Sequence, residues 1–354
     1  MQDKYRIDSG KIAWHPRRVA DVIEADTWEK AKKVVPIYWE ITTAGACSHR
    51  CHFCSVDSLE YPDNFIDAYL LIGRMQEAQQ MGVRSVMFAG TGEPLLHRQI
   101  NEIVSGAVDC GLDAAFTTNG VALNRLDTIA KCSWVKLSIN AGTQATYAKV
   151  HRTKERDWTR VWNNVSDAVK RKGNCALGVQ CVVLPDNFHE MATLCTIARN
   201  SGVDYVVLKP YSVGTFQAHA PIQTNYAEWD ASLSELPAIF NTDKFKVIYR
   251  ANAMRQEREK HPYDKCRATP FVWVYSRAEG DVFSCSAHLL DQRFHIGNLN
   301  NQSFREIWEG EGRRANWEMM QTFDISNCRL NCRQNQNNIF LDQVANGIPH
   351  LSFI

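Results

Sequence analysis

Short apolar runs alternate with longer amphipathic stretches from residue 34 to residue 210. "VVPIYWEIT" (34–42) reads as a buried strand. "NFIDAYLLIGRMQEAQQMG" (64–82) follows, with Phe65, Tyr69, Ile72 and Met75 at helical spacing and Gly82 as the stop. "VRSVMFAG" (83–90) predicts a strand, and 97–110 a helix. "DAAFTTNG" (113–120) is a strand running into an Asn-Gly turn, with a helix to about Lys131. "WVKLSINAG" (134–142) is a strand, with helical segments through Gly173. "CALGVQCVVLP" (175–185) is a strand, 187–200 a helix, and "VDYVVLKP" (203–210) a strand.

Apolar strands separated by helices predict a parallel sheet with helices packed on it, an α/β fold. An open doubly wound sheet and a barrel both fit this pattern, and in either one ligands gather at the carboxyl ends of the strands. After about residue 215 the pattern changes. "FQAHAPIQTNYAEWD" is a linker into a helix near 226–238. From 266 the elements shorten: strand "FVWVYS", turn "RAEGD" and strand "VFSCS" make a hairpin, followed by helix "SFREIWEG" and a "CRLNC" loop. Residues 1–33 are polar and mixed, predicting helix and loop laid against the main body.

The 354 residues are enough for more than one core. A net charge of +1 gives no basic field to hold nucleic acid. The first residues lack the apolar stretch of a signal peptide, and no apolar run is long enough to span a membrane. A cytoplasmic, reducing setting follows, where twelve cysteines are not explained by disulfides. Cys110, Cys132, Cys175, Cys181 and Cys195 are scattered and read as small buried hydrophobes. The other seven fall into two groups.

Cys47, Cys51 and Cys54 crowd into "CSHRCHFC" directly after the first strand. A structural zinc takes four protein ligands, and His49 or His52 lies too near the cysteines to swing round and complete the set. A [4Fe–4S] cluster held by three cysteines leaves one iron open to a small molecule.

The Cys-x3-Cys-x2-Cys spacing, with Phe53 before the last cysteine, resembles the signature of the radical SAM superfamily. "AGTGEP" (89–94), at the end of the second strand, is similar to that family's Gly-Gly-Glu-Pro motif, with Thr91 in place of the first Gly. The resemblance implies a partial (β/α)6 barrel over 37–215. S-adenosylmethionine would chelate the open iron and be cleaved to a 5′-deoxyadenosyl radical that abstracts hydrogen from a substrate. It implies adenine at the Phe53 backbone and the cofactor ammonium at Gly90, Thr91, Gly92 and Glu93, where carbonyls and a carboxylate suit a cation. Ser138, Asn140, Arg152, Thr118 and Gln180 are further cofactor candidates from strand and helix ends.

Cys266, Cys285, Cys328 and Cys332 come from the hairpin and the late loop, and four such thiolates suit zinc or a second cluster. With Gly297-Asn298-Leu299 and Trp308, the layout resembles the SPASM/twitch auxiliary-cluster domains. Four cysteines are enough for one fully ligated [4Fe–4S] cluster, the twitch type. The implied organisation is an N-terminal extension (1–36), the barrel (37–215), a linker and helix (216–262), a small α+β twitch-like domain (263–335) and a tail (336–354).

An auxiliary cluster offers a sink for an electron, so the expected reaction is oxidation of an alcohol on a small hydroxylated or sugar-like substrate. Alternatives are decarboxylation or epimerisation of a sugar derivative, modification of a ribosomal peptide, or a non-enzymatic iron–sulfur electron carrier. The stretch before the first strand is shorter than the leader-binding domain many peptide modifiers carry. Lys209 and Tyr211, at the sixth strand's end, are the catalytic candidates, with His219 and His288 behind them. A flavodoxin or ferredoxin-type donor is the expected electron source.

Overall fold

The computed structural model describes residues 5–215, 217–256 and 259–353. Phe216, at the head of the expected linker, and residues 1–4, 257, 258 and 354 lie outside the described residues. The strands are β1 (Tyr38–Thr42), β2 (Ser85–Ala89), β3 (Asp113–Thr118), β4 (Trp134–Ser138), β5 (Ala176–Val183), β6 (Tyr205–Pro210), β7 (Lys246–Tyr249), β8 (Trp273–Ser276), β9 (Asp281–Phe283) and β10 (His295–Asn298). They form one sheet in the order β10-β9-β8-β1-β2-β3-β4-β5-β6-β7. From β1 to β7 every neighbour is parallel, and β8 joins β1 in parallel before the hairpin β8–β9 and then β10 turn antiparallel. The expected parallel sheet is therefore present, widened by β7 on one edge and by the hairpin on the other.

Alternation along each strand separates two environments. Trp39, Ile41, Phe88, Phe116, Val135, Leu137, Val179, Cys181 and Val206 point to the helix-covered face and join the main core. The opposite face carries Tyr38, Met87, Ala89, Ala115 and Trp134, and further along Tyr205, Val207 and Ile248 against Tyr5, Ile7 and Ala176. Gly178 leaves the space on β5 that the Tyr205 ring fills.

The helix after β1 runs Ala68–Met81, capped by the Asp67 carboxylate, which accepts from the Leu70 N–H at 2.7 Å, and ended by Gly82 at φ +119. Its buried stripe is Ala68, Leu71, Met75 and Ala78, while Tyr69 is 71% exposed. The helix is where the spacing put it and Met75 meets the core as expected, with Ile72 packed against it, whereas Phe65 and Tyr69 are exposed and Ala68, Leu71 and Ala78 complete the stripe. After β3 the expected helix is replaced by two short 3-10 turns, Leu123–Arg125 and Asp127–Lys131. Here Asn101 competes for the backbone: its Nδ2 donates to Arg125 O at 2.9 Å and its Oδ1 accepts from Thr128 N–H at 3.1 Å. Of the five scattered cysteines, Cys132, Cys175, Cys181 and Cys195 are buried, and Cys110 is half-buried.

A second core ties the chain's two ends together. Val19, Val22 and Val34 pack with Phe271, Trp273, Trp317 and Leu341. Arg313, fully buried, donates to the carbonyls of Trp308 (2.9 Å), Ala31 (3.0 Å), Val34 (3.3 Å) and Pro270 (3.4 Å), fastening the early and late segments to each other. Residues 335–346 of the expected tail form a helix, Asn335–Asn346. Among the described residues no helix is long and apolar enough to cross a membrane.

Candidate metal centres and cofactor pocket

The carboxyl ends of β1 to β6 meet at one edge of the sheet, and the cysteine triplet sits on the loop leaving β1. That loop is stitched to its surroundings by backbone bonds. Arg50 N–H donates to His151 O (3.2 Å), His52 N–H to Val150 O (3.1 Å), and Glu93 N–H to Ala46 O (2.8 Å). The Arg50 guanidinium caps the carbonyls of Cys47 and His49 at 2.6 and 2.8 Å and covers the Tyr61 ring.

Burial raises all three thiol pKa values, that of Cys47 to about 12, and the sulfurs reinforce one another: Cys51 feels Cys54 and Cys47, and Cys47 feels Cys54. Thiols crowded by one another and partly withdrawn from water stay neutral unless a cation draws the protons off. Each also meets a donor. Cys51 Sγ lies 3.3 Å from His151 Nδ1, Cys54 is bonded by the Tyr61 hydroxyl, and Cys47 lies 3.9 Å from Asn119 Nδ2. Glu60 and Tyr61 are both left-handed (φ 57 and 49), a local cost of about 1–2 kcal/mol each that the loop accepts while carrying Tyr61 to Cys54.

The segment 90–93 lies against the beginning of this loop. A Cβ on Gly92 would strike the carbonyl oxygens of Ala44, Gly45 and Ala46, so only glycine fits. Gly90 has φ +131 beside Thr42, and the Thr91 N–H reaches Thr42 Oγ1 at 3.4 Å. Glu93 is buried and occupied. It accepts from Thr118 Oγ1 (2.5 Å), Asn119 N–H (2.7 Å) and Leu95 N–H (3.1 Å), while burial raises its pKa against the pull of those bonds. Thr118 thus serves Glu93.

Ser138 and Gln180 are half-buried and face each other across β4 and β5. Asn140 is buried among protein groups: its Oδ1 accepts from Val182 N–H at 2.6 Å and its Nδ2 lies 3.3 Å from His151 Nε2. Arg152 is exposed, in a left-handed conformation just after the helix Gln144–His151. The Phe53 ring packs on Val150, Val182, Leu184 and Tyr211, joining the loop to the ends of β5 and β6.

Lys209, half-buried on β6 opposite Val182, is pushed down to about 7 by burial and by the like charges of Arg250, Lys136 and Arg329. Lys136, on β4, is pushed down to about 8, again mainly by burial. The Tyr211 hydroxyl donates to Gln217 Oε1 at 2.8 Å. His219 has Nε2 3.1 Å from the Cys54 carbonyl. His288 stacks on Phe294 and places Nε2 3.8 Å from Cys328 Sγ.

Cys266, Cys285, Cys328 and Cys332 gather beside the hairpin. Burial pushes up Cys285, Cys328 and Cys332, and their neighbours among the four, Cys266 included, push them further. Cys266 Sγ accepts from Asn338 Nδ2 (3.3 Å) and Cys332 Sγ from Gln334 N–H (3.4 Å), while the Arg329 guanidinium favours the thiolates of Cys332, Cys328 and Cys285. A narrow cleft of about 20 Å³ lies between the loops that follow the two cysteine sites, with Ser55, Ser58, Gly214, Ser286, Leu290 and Arg329 on its walls. Sequence reasoning missed His151, Asn119, Tyr61, Arg329 and Asn338. The "TTNG" stretch was read as a turn, and at the helix end Arg152 drew the attention that His151 deserved.

A parallel sheet with three half-buried thiols after its first strand, and four more assembled beside it, presents two cysteine sites. The family description "Radical SAM superfamily" matches residues 41–196 and that of the SPASM "Iron-sulfur cluster-binding domain" matches 266–333, so the chain carries a radical SAM domain followed by a SPASM-type domain. The probable GTP 3′,8-cyclase of Saccharolobus solfataricus is 29% identical over 191 residues, covering 51% of this chain and 60% of that protein. The chain thus spans well under two thirds of those relatives. The tungsten-containing aldehyde ferredoxin oxidoreductase cofactor-modifying protein of Pyrococcus furiosus is 21% identical over 307 residues, 79% of this chain and 82% of that one. Among solved structures, Streptococcus suis SuiB bound to precursor peptide SuiA superposes with a TM-score of 0.66 at 15% identity, covering 82% of this chain and 67% of SuiB. anSMEcpe with bound AdoMet gives 0.58 at 14% identity, covering 81% and 83%. The fold is that of these enzymes. S-adenosylmethionine and [4Fe–4S] clusters are the cofactors, and the chain fits them: three half-buried thiols on one loop, a glycine cradle at 90–93, and a second set of four.

Proposed function

We propose that the chain oxidises an alcohol on a small hydroxylated or sugar-like substrate that enters between its two cysteine sites. When bound, the cofactors supply a 5′-deoxyadenosyl radical on one side and a one-electron acceptor on the other. Cys47, Cys51 and Cys54 hold the first cluster, and the loop 90–93 with Phe53 receives the adenosyl group and ammonium. Ser138, Gln180 and Arg152 meet its ribose and carboxylate. Thr118 and Asn140 act from behind, by holding Glu93 and the end of β5. Cys266, Cys285, Cys328 and Cys332 satisfy the second cluster fully, which suits electron transfer better than substrate ligation. The unit 263–335 serves as the auxiliary domain behind the barrel of 37–215, flanked by 1–36, 216–262 and 336–354.

The observation that carries this reading is the division of the cysteines into a set of three on one loop and a separate set of four beside the hairpin, with Ser55, Ser58 and Ser286 on the narrow cleft between their loops. Removing the carbinol hydrogen atom leaves a ketyl precursor. Loss of its hydroxyl proton to Lys209 and of one electron to the auxiliary site balances to a ketone. Lys209 suits this role because burial leaves a good part of its amine unprotonated near neutrality. Tyr211, held by Gln217, positions the same end of the substrate. The S. solfataricus relative is named for GTP, a ribose-bearing small molecule, which agrees with a polar substrate. A flavodoxin or ferredoxin-type protein in a reducing cytoplasm supplies the first electron.

The test is anaerobic reconstitution followed by S-adenosylmethionine, dithionite and a panel of cyclitols, sugars and nucleotide sugars. The expected result is 5′-deoxyadenosine together with a product lighter by two hydrogens. Turnover that yields an epimer, a decarboxylated sugar or only a modified peptide overturns the oxidation. Absence of 5′-deoxyadenosine under every condition overturns the whole reading.

A further inference from the structure

The donors around the three cysteine sulfurs are not equivalent, and one of them is fixed by a chain of bonds running back into the sheet. His151 closes the helix Gln144–His151 and is buried, its ring against Tyr147 at 4.2 Å and His49 at 5.0 Å. Its Nε2 lies 3.2 Å from the backbone nitrogen of Asn140. A backbone N–H only donates, so Nε2 accepts. An imidazole whose Nε2 accepts carries its hydrogen at Nδ1, and Nδ1 stands 3.3 Å from Cys51 Sγ.

We propose that His151 donates its Nδ1 hydrogen to the Cys51 sulfur and so raises the reduction potential of the cluster that Cys47, Cys51 and Cys54 hold. It is a positioning residue, acting through a ligand. An N–H aimed at a coordinating sulfur stabilises the extra negative charge of the reduced state more than the oxidised state. The donor is preorganised. Asn140 Oδ1 accepts from Val182 N–H at 2.6 Å, and Asn187 Nδ2 donates to Asn140 O at 2.9 Å, so β5 and the loop after it set the N–H that sets the tautomer. At the other two sulfurs the fixed donors are backbone N–H groups, of His49 at Cys47 and of Val56 at Cys54, and the side-chain donors are looser. Asn119 Nδ2 is 3.9 Å from Cys47 and already donates to Ser48 Oγ at 3.0 Å, and Tyr61 is a rotatable hydroxyl.

His49, Cys51 and His151 have ligand atoms within 4.8 Å of one another, which raises the rival idea that His151 binds metal directly. Coordination through Nδ1 would require the proton on Nε2, donor against donor with the Asn140 N–H, and the geometry rejects it.

The inference rests on the first cluster being present, as the radical SAM domain requires, and not on the substrate. The experiment is an EPR-monitored redox titration of the reconstituted protein. S-adenosylmethionine alters only the signal of the three-cysteine cluster and so identifies it beside the auxiliary one. His151→Phe keeps ring volume and loses the donor. Its first-cluster potential is expected to fall by about tenfold in the reduction equilibrium, about 59 mV for a one-electron couple, with iron content unchanged. His151→Asn, whose amide restores a donor near the Nδ1 position, is expected to recover part of that fall. Equal potentials in wild type and His151→Phe overturn the proposal. A second readout needs no variant: pulsed EPR of the reduced wild-type cluster with 15N-histidine is expected to show a weakly coupled imidazole nitrogen. A strongly coupled, directly bound nitrogen overturns the proposal, as does the absence of any coupling. The potential reports on His151 and the product analysis on the proposed reaction, so either fails alone.

Discussion

The two cysteine sites are built by opposite means. The first is local: three thiols on one loop, pinned by backbone bonds to the helix end at 150–151 and to the segment at 93, and met by the uncharged groups His151, Tyr61 and Asn119. The second is tertiary. Its thiols come from before the hairpin, from the hairpin's end and from a loop more than forty residues later, and a guanidinium, Arg329, stands among them. In the proposed reading the local site gives three ligands and leaves a corner open, whereas the assembled site closes its coordination. Both sites carry a guanidinium, Arg50 beside Cys47 and Arg329 among the four, so they differ in how the sulfurs are brought together and in the neutral side-chain donors around the first.

The sharpest way to break this comparison is to remove one ligand from each site. Cys51→Ala is expected to cut bound iron from about eight to about four per chain and to abolish 5′-deoxyadenosine formation. Cys285→Ala is expected to lose the other four irons yet still release 5′-deoxyadenosine, now without the oxidised product. Iron analysis and nucleoside quantification on the same samples decide it. If Cys285→Ala also stops S-adenosylmethionine cleavage at full first-site occupancy, the two sites are not separable in role.

This contrast also explains what the sequence made legible. The triplet and "AGTGEP" are contiguous, so their spacing was readable, and the alternating apolar strands announced a parallel sheet because one face of each strand is core. His151 and Asn119 were not readable as partners of the cysteines, for they lie 100 and 72 residues away and meet them only through the strand order. In the helix Ala68–Met81 the expected Met75 is in the core, but Ala68 and Leu71 rather than Tyr69 share its stripe, because the helix meets its neighbours closely. At Gly106 a Cβ would already strike Ile72. β7 is short, and only Val247 and Ile248 of its four residues are buried, so it gives little pattern to read.

A smaller effect tests the side of the cleft facing β6. Burial lowers Lys209 from 10.5 to about 7, so the amine is protonated below that pH and free above it. A base must be free to act, so substrate oxidation is expected to rise with pH through about 7 and level off. S-adenosylmethionine cleavage without substrate is expected to show no such limb. Lys209→Met should lower oxidation by about a hundredfold, the lower range for loss of a general base, and flatten the profile. A wild-type profile that is flat from pH 6 to 9, or a Lys209→Met profile that still rises, removes Lys209 from the proton's path and leaves Tyr211 as the group to test.

The finest probe asks whether the first site depends on the carboxylate behind it. Glu93 touches no cysteine, yet its oxygens hold the Asn119 N–H and the Thr118 hydroxyl, and Asn119 in turn reaches Ser48 and Cys47. Glu93→Gln keeps one acceptor and turns the other corner into an NH2. Thr118 accommodates that by rotating its hydroxyl, but the Leu95 N–H at the same oxygen and the Asn119 N–H at the other cannot turn away, so the amide nitrogen leaves donor facing donor in either orientation. The cost is about 1–3 kcal/mol, the range for a buried group left unpaired. It is expected to appear as roughly tenfold weaker S-adenosylmethionine binding by equilibrium dialysis, with the auxiliary cluster's EPR signal unaltered. Binding unchanged in Glu93→Gln would mean that Asn119 is held by the turn at Gly120 alone, and the first site would then be even more local than its hydrogen bonds suggest.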